Sequence, residues 1–166
     1  MQRRTVIALI GMSALAGLTG CGFHLRGAQN YAFDTLAVMP QPGGPDALEL
    51  RRSINPAVHV LGADAPLTQA QVVLDILQEQ REKVVVGVNS SGQVREFQLR
   101  LRVKFRVRTP QGKDLTPESD ILLQSDISFN ETAALAKEAE EALLYRNMQT
   151  DAVQQLLRRL ATIRLD

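Results

Sequence analysis

A single cysteine, Cys21, is all the thiol chemistry in the chain, so no disulfide can close within it. Two histidines, His24 and His59, leave a zinc site or a histidine-based nucleophile little to work with. There is no GxSxG elbow, phosphate loop or dinucleotide fingerprint. Glu138, Glu140 and Glu141 crowd one helical stretch and read as solvated surface rather than as an acid–base pair. Catalysis is therefore not expected, and neither is a cofactor or metal. Tryptophan is absent and aromatics make up 4% of residues, so any core must be aliphatic. No strong charge excess exists either: 19 Lys+Arg stand against 18 Asp+Glu, which argues against a nucleic-acid partner.

The longest apolar run, Thr5 to Thr19, falls short of the roughly 20 residues a membrane-crossing helix needs. It follows Arg3-Arg4 and precedes Leu18-Thr19-Gly20-Cys21. A basic start, a short apolar stretch and small residues at the end read as a secretory signal peptide over 1–20, removed on maturation. Leu18 to Cys21 resembles the bacterial lipobox, in which the cysteine thiol receives a diacylglycerol. Cys21 is accordingly expected to be the lipidated N-terminus, since several acyl chains anchor stably where one does not. Gly22 stands where an inner-membrane retention signal would place Asp, which favours the outer membrane, facing the periplasm. Residues 21–166 have the size of one domain with one core. Losing Arg3 and Arg4 leaves that domain with a formal charge of −1.

Thr35–Met39 reads as a strand, residues 46–54 as a short helix stopped by Asn55-Pro56, and residues 57–61 as a short strand. Residues 71–88 and 93–108 form two long strand-like runs around Asn89-Ser90-Ser91-Gly92, a hairpin signal. After a turn at Pro110–Lys113, a third strand is expected over 120–129. From Asn130 the period changes to helical: Leu135, Ala139, Ala142, Tyr145, Ala152, Leu156, Leu160 and Ile163 share one face of a helix over 131–163. This order predicts an α+β two-layer sandwich, a mostly antiparallel or mixed four-stranded sheet with two helices on one face and the other face open.

One strand carries a strong pattern. Phe97, Leu99, Leu101, Val103, Phe105 and Val107 alternate with Arg100, Arg102, Lys104, Arg106 and Arg108. Strand side chains alternate between faces, so one face is apolar and the other carries five consecutive cations. If the hairpin turns about Ser90-Ser91, Asp75 faces Arg106 and Glu79 faces Arg102, with Arg81 and Lys83 on the same side. Asp120 and Asp126 can join them from the next strand. That face then holds an excess of about three positive charges even after cross-strand pairing. It is either a solvated face laced with ion pairs or a surface that meets an anionic ligand or a polar partner wall.

Cys21-Gly22-Phe23-His24-Leu25-Arg26-Gly27 closely resembles the opening of mature LPS-assembly lipoproteins, the LptE family. Ser91-Gly92-Gln93 with Glu96-Phe97, Ala134-Leu135-Ala136-Lys137, and Gln155-Leu156 through Arg159-Leu160 to Ile163-Arg164 match further family segments in the same order. The resemblance implies helices on a mostly antiparallel sheet. It also implies a 1:1 complex in which the protein plugs a large outer-membrane β-barrel of the LptD type and assists its assembly. Direct binding of lipopolysaccharide is implied through basic residues near the hairpin turn and the start of the long helix. Lys137 matches the second position; at the turn Ser90 and Ser91 stand where a basic residue can occur, with Arg95 the nearby cation. Lys104 and Arg106 complete the candidate lipopolysaccharide contacts, and Arg100, Arg102 and Arg108 the remaining strip facing ligand or partner. The alternative is a periplasmic lipid or lipoprotein carrier with an apolar cavity; a hydrolase has no motif to place its groups.

Overall fold

A computed structural model describes residues 29–165. The expected signal peptide, Cys21 and the 21–27 opening lie outside the described residues.

The elements run β1 (Thr35–Met39), α1 (Pro45–Ser53), β2 (His59–Val60), β3 (Val72–Val88), β4 (Val94–Arg108), β5 (Asp114–Ser128) and α2 (Ala134–Ala161). The sheet order is β2-β1-β3-β4-β5. β1 is parallel to β2 and β3, while β3, β4 and β5 are antiparallel. The expected α+β sandwich is present, with the two-residue β2 as a fifth strand. β5 starts earlier than its pattern announces, at Asp114. Pro117 lies inside it, which an edge strand tolerates because no neighbour needs the missing N–H.

The turns follow their chemistry. Asn89 Oδ1 accepts the N–H groups of Ser91 and Gln93 at 3.0 and 2.9 Å, and Gly92 takes φ +79°, a conformation in which a Cβ would be strained. α1 starts at Pro45, whose missing N–H costs nothing in the first helical turn, and ends in Arg51 and Arg52, which suit the helix C-terminus.

The core is aliphatic, as the shortage of aromatics requires. Leu99, Leu101, Val103, Phe105 and Val107 of β4 are buried beneath Leu50 of α1 and Ala152, Val153, Leu156 and Leu160 of α2. At about 25 cal/mol per Å² of apolar surface, each fully buried leucine contributes about 2 kcal/mol. α2 packs only from about Tyr145 onward. Leu135, on the expected apolar stripe, is 83% exposed, so the first turns of α2 reach beyond the layer that periodicity assigns them to. The opposite sheet face is also not wholly open. At its parallel end, Ala37 and Val73 are covered by Leu61 and Ala70 of the β2–β3 connection.

Candidate functional site

The five cations of β4 do lie on one face, but their surroundings differ from the parity expectation. Asp75 faces Arg106 as expected. A β-bulge between Ile76 and Gln78 then inserts one residue, and beyond it Gln80, not Glu79, opposes Arg102. A bulge flips every following side chain relative to the partner strand. Glu79, Arg81 and Lys83 therefore point to the helix side, and Gln78, Gln80 and Glu82 stand beside the strip.

The strip is not electropositive. Arg102 pairs with Asp120 at 3.2 Å, Lys104 with Glu118, Arg106 with Asp75 at 2.9 Å and Arg108 with Asp75 at 2.7 Å. Arg100 Nε donates to Gln98 Oε1 at 2.9 Å, and Asp126 accepts from Gln98. Five cations share the face with seven carboxylates, those of Asp75, Glu82, Glu96, Asp114, Glu118, Asp120 and Asp126, which replaces the expected excess of about three positive charges. Most of these pairs are half exposed and contribute little to stability each. Asp75 differs. Its side chain is 11% exposed, and the carboxylate accepts four hydrogen bonds from two guanidinium groups. Burial pushes its carboxyl up, but the bonds from Arg108 and Arg106 outweigh burial and hold it below the usual carboxylate range. Arg108 is raised in turn, first by its hydrogen bond to Asp75.

The candidate lipopolysaccharide contacts do not converge. Lys104 and Arg106 lie on the strip face. Arg95 shares the apolar side of β4 with Phe97 and Leu99, near the 130–132 segment that leads into α2. Lys137 reaches across from α2, donating to Ser128 Oγ at 2.9 Å and Glu140 at 2.8 Å. The sheet separates the first pair from the second. What Lys137 does meet is Lys83, which parity had placed on the strip. Both line a small cleft of about 150 Å³ with Phe97, Ile127 and Phe129. Lys83 Nζ sits 4.4 Å from the centre of the Phe97 ring and pairs with Glu141 at 2.6 Å, so Glu141 is engaged rather than simply solvated. Phe97 and Phe129 meet edge to face at 5.4 Å. Val85 and Leu135 leave apolar surface exposed at this end of the molecule. The helix-side notch thus combines two ammonium groups, each already ion-paired, with the carboxylates of Glu138 and Glu141 and with aromatic and aliphatic walls. Only a trace of the bulge that creates it is visible in the sequence: Ile76 and Leu77 are adjacent apolar residues where alternation would allow one.

The comparisons with known proteins fit this architecture. Residues 33–160 match the LptE family, described as lipopolysaccharide-assembly. An LPS-assembly lipoprotein LptE from Pectobacterium atrosepticum is 31% identical over 98% of this chain and 88% of its own length. Its counterpart from Yersinia enterocolitica is 30% identical over 98% and 78%. Among solved structures, lipoprotein B from Nitrosomonas europaea superposes with a TM-score of 0.73 at 32% identity, covering 84% of this chain and 90% of its own. A minor lipoprotein from Acinetobacter baumannii shares the fold at TM-score 0.62 and 19% identity, over 80% and 93%. The match over most of its length, with the same layers, means that this chain belongs to the LptE lipopolysaccharide-assembly family.

Proposed function

We propose that this chain is a non-enzymatic outer-membrane lipoprotein, tethered through Cys21 as one domain over 21–166. In this reading it plugs an LptD-type β-barrel in a 1:1 complex, assists the barrel's assembly, and binds lipopolysaccharide for delivery to the outer leaflet. The family match carries the proposal. Two features of the molecule support its parts. The ion-paired strip face is polar yet near neutral, the kind of surface that meets the water-lined wall of a large barrel. The notch around Lys83 and Lys137 offers two cations, now held by Glu141 and Glu140, that lipid A phosphates would take over in exchange, and apolar surface for acyl chains. Lys137 therefore keeps its proposed role, Arg95 stands at the same end of β4, and Lys104 with Arg106 fit a partner wall better than a ligand site. Among the described residues no helix is long and apolar enough to cross a membrane.

The carrier alternative has less support, because the layer between sheet and helices is filled by Leu36, Leu50, Leu74, Leu101, Leu156 and Leu160, all at most 1% exposed. Binding of lipopolysaccharide to the full lipidated chain in detergent tests the ligand half. Lys83→Gln with Lys137→Gln should weaken it at least about tenfold and flatten its salt dependence. Unchanged binding in that double variant would refute the notch assignment.

A further inference from the structure

A cleft of about 550 Å³, with Gln78 at the border of the strip among its lining, lies where β3 runs past the end of β1 and meets the start of α1. Asp46 and Glu79 stand at its polar end, and Pro45, Ile76 and Leu77 form apolar walls. Asp46 is 1% exposed, and its Oδ1 accepts no hydrogen bond from any described residue. Glu79 lies against the helix start: its Oε2 accepts the Asp46 N–H at 3.4 Å, and a Cβ on Gly44 would fall 2.0 Å from that oxygen. Neither carboxylate makes an ion pair among the described residues. Arg81 also lines the cleft but is turned toward α2. It donates to Gln149 Oε1 at 2.7 Å and lies 5.3 Å over the Tyr145 ring.

A buried acceptor without a donor is costly, and a buried carboxylate without a counter-charge more so. Burial, and next Glu79, push the Asp46 carboxyl up to about 7. The charged groups facing it are Glu79 and Arg81 from β3 and Glu49 from α1, while α2 presents Gln149, whose amide bonds Glu49 and the Pro45 carbonyl. Two carboxylates beside apolar walls are too few oxygens for a calcium ion. They match a cation with an aliphatic stem. We propose that this cleft receives a lysine or arginine side chain of a protein partner, its head on the partly exposed Glu79 carboxylate beside the occluded Asp46 and its stem against Ile76, Leu77 and Pro45. This rests on the chain having a protein partner, as the functional reading requires.

The test uses the full lipidated chain in detergent, with n-butylguanidinium and n-butylammonium as probes and n-butanol as the neutral control, read by NMR at the Ile76 and Leu77 methyls. Both cations should bind about tenfold or more tighter than butanol, and tighter at pH 8 than at pH 6 because Asp46 must ionise to pair. Glu79→Gln and Asp46→Asn should each remove most of that preference. Equal binding of butanol, or cation binding unchanged in both variants, would overturn the proposal. In a complex purified from membranes the cleft should already be filled, so the probes should no longer shift Leu77. A complex whose cleft still binds them overturns this proposal alone, whereas recovery of the chain without any partner overturns the functional reading and this one with it.

Discussion

Asp75→Ala is the substitution that best separates a structural ion cluster from decorative surface charge. The wild-type carboxylate takes hydrogen bonds from Arg106 at 2.9 and 3.2 Å and from Arg108 at 2.7 and 3.1 Å. Removing it leaves two adjacent guanidinium groups with no common anion. Arg106 is 40% exposed and has Asp114 at 3.9 Å, so it can re-pair through water. Arg108 is 19% exposed and keeps only the weaker influence of Asp114, its register partner on β5. Breaking a fully buried pair costs about 3–5 kcal/mol, and the partial exposure of Arg106 brings the expected loss to about 2–4 kcal/mol. For a domain of this size that is a fall in Tm of roughly 6–12 °C. Arg106→Gln should cost about 1 kcal/mol or less, since Arg108 keeps its partner. The assay is urea unfolding of the lipidated chain at pH 7. The Asp75 carboxyl is held below its ordinary range in the fold, so its stabilisation is present above about pH 4 and fades as acid protonates it. Wild type and Asp75→Ala should therefore converge at low pH. A loss under about 0.5 kcal/mol at pH 7, or a gap that persists in strong acid, would refute this reasoning.

Asp46 should show the opposite sign. Its carboxyl is raised to about 7, so stability declines as pH rises from about 4 to 7, and Asp46→Asn should be the more stable protein at pH 8 by about 1–3 kcal/mol. Equal unfolding midpoints at pH 8 would contradict the buried-charge account. Leu156→Ala removes a side chain with no exposed surface and should cost about 2–5 kcal/mol, while Leu135→Ala, 83% exposed, should cost under about 0.5 kcal/mol. For lipopolysaccharide, Lys104→Gln with Arg106→Gln should leave affinity within about twofold, in contrast to the double variant of Lys83 and Lys137.

The layers were legible because hydrophobic period is a direct image of burial. The run from Phe97 to Val107 alternates without error and is buried from Leu99 onward, and the shift to helical spacing after Asn130 marks α2. What alternation cannot carry is an inserted residue. One extra residue near Leu77 moved Glu79, Arg81 and Lys83 across the sheet and put Glu82 beside the strip, and the earlier start of β5 added Asp114 and Glu118 to the same face. Periodicity also names a face without saying what covers it, which is why Leu135 reads as core and is exposed. The first half of β5 escaped because Pro117 and its charged neighbours look like a turn, although an edge strand accepts them. Lys137 was legible only through family resemblance, and its neighbour Lys83 through neither route.

Purification of the lipidated chain from native outer membranes in mild detergent bears most directly on the central claim. The chain should emerge in a 1:1 complex with a β-barrel several times its own mass, stable through size exclusion and carrying lipopolysaccharide. A monomeric lipoprotein with no barrel attached would contradict it.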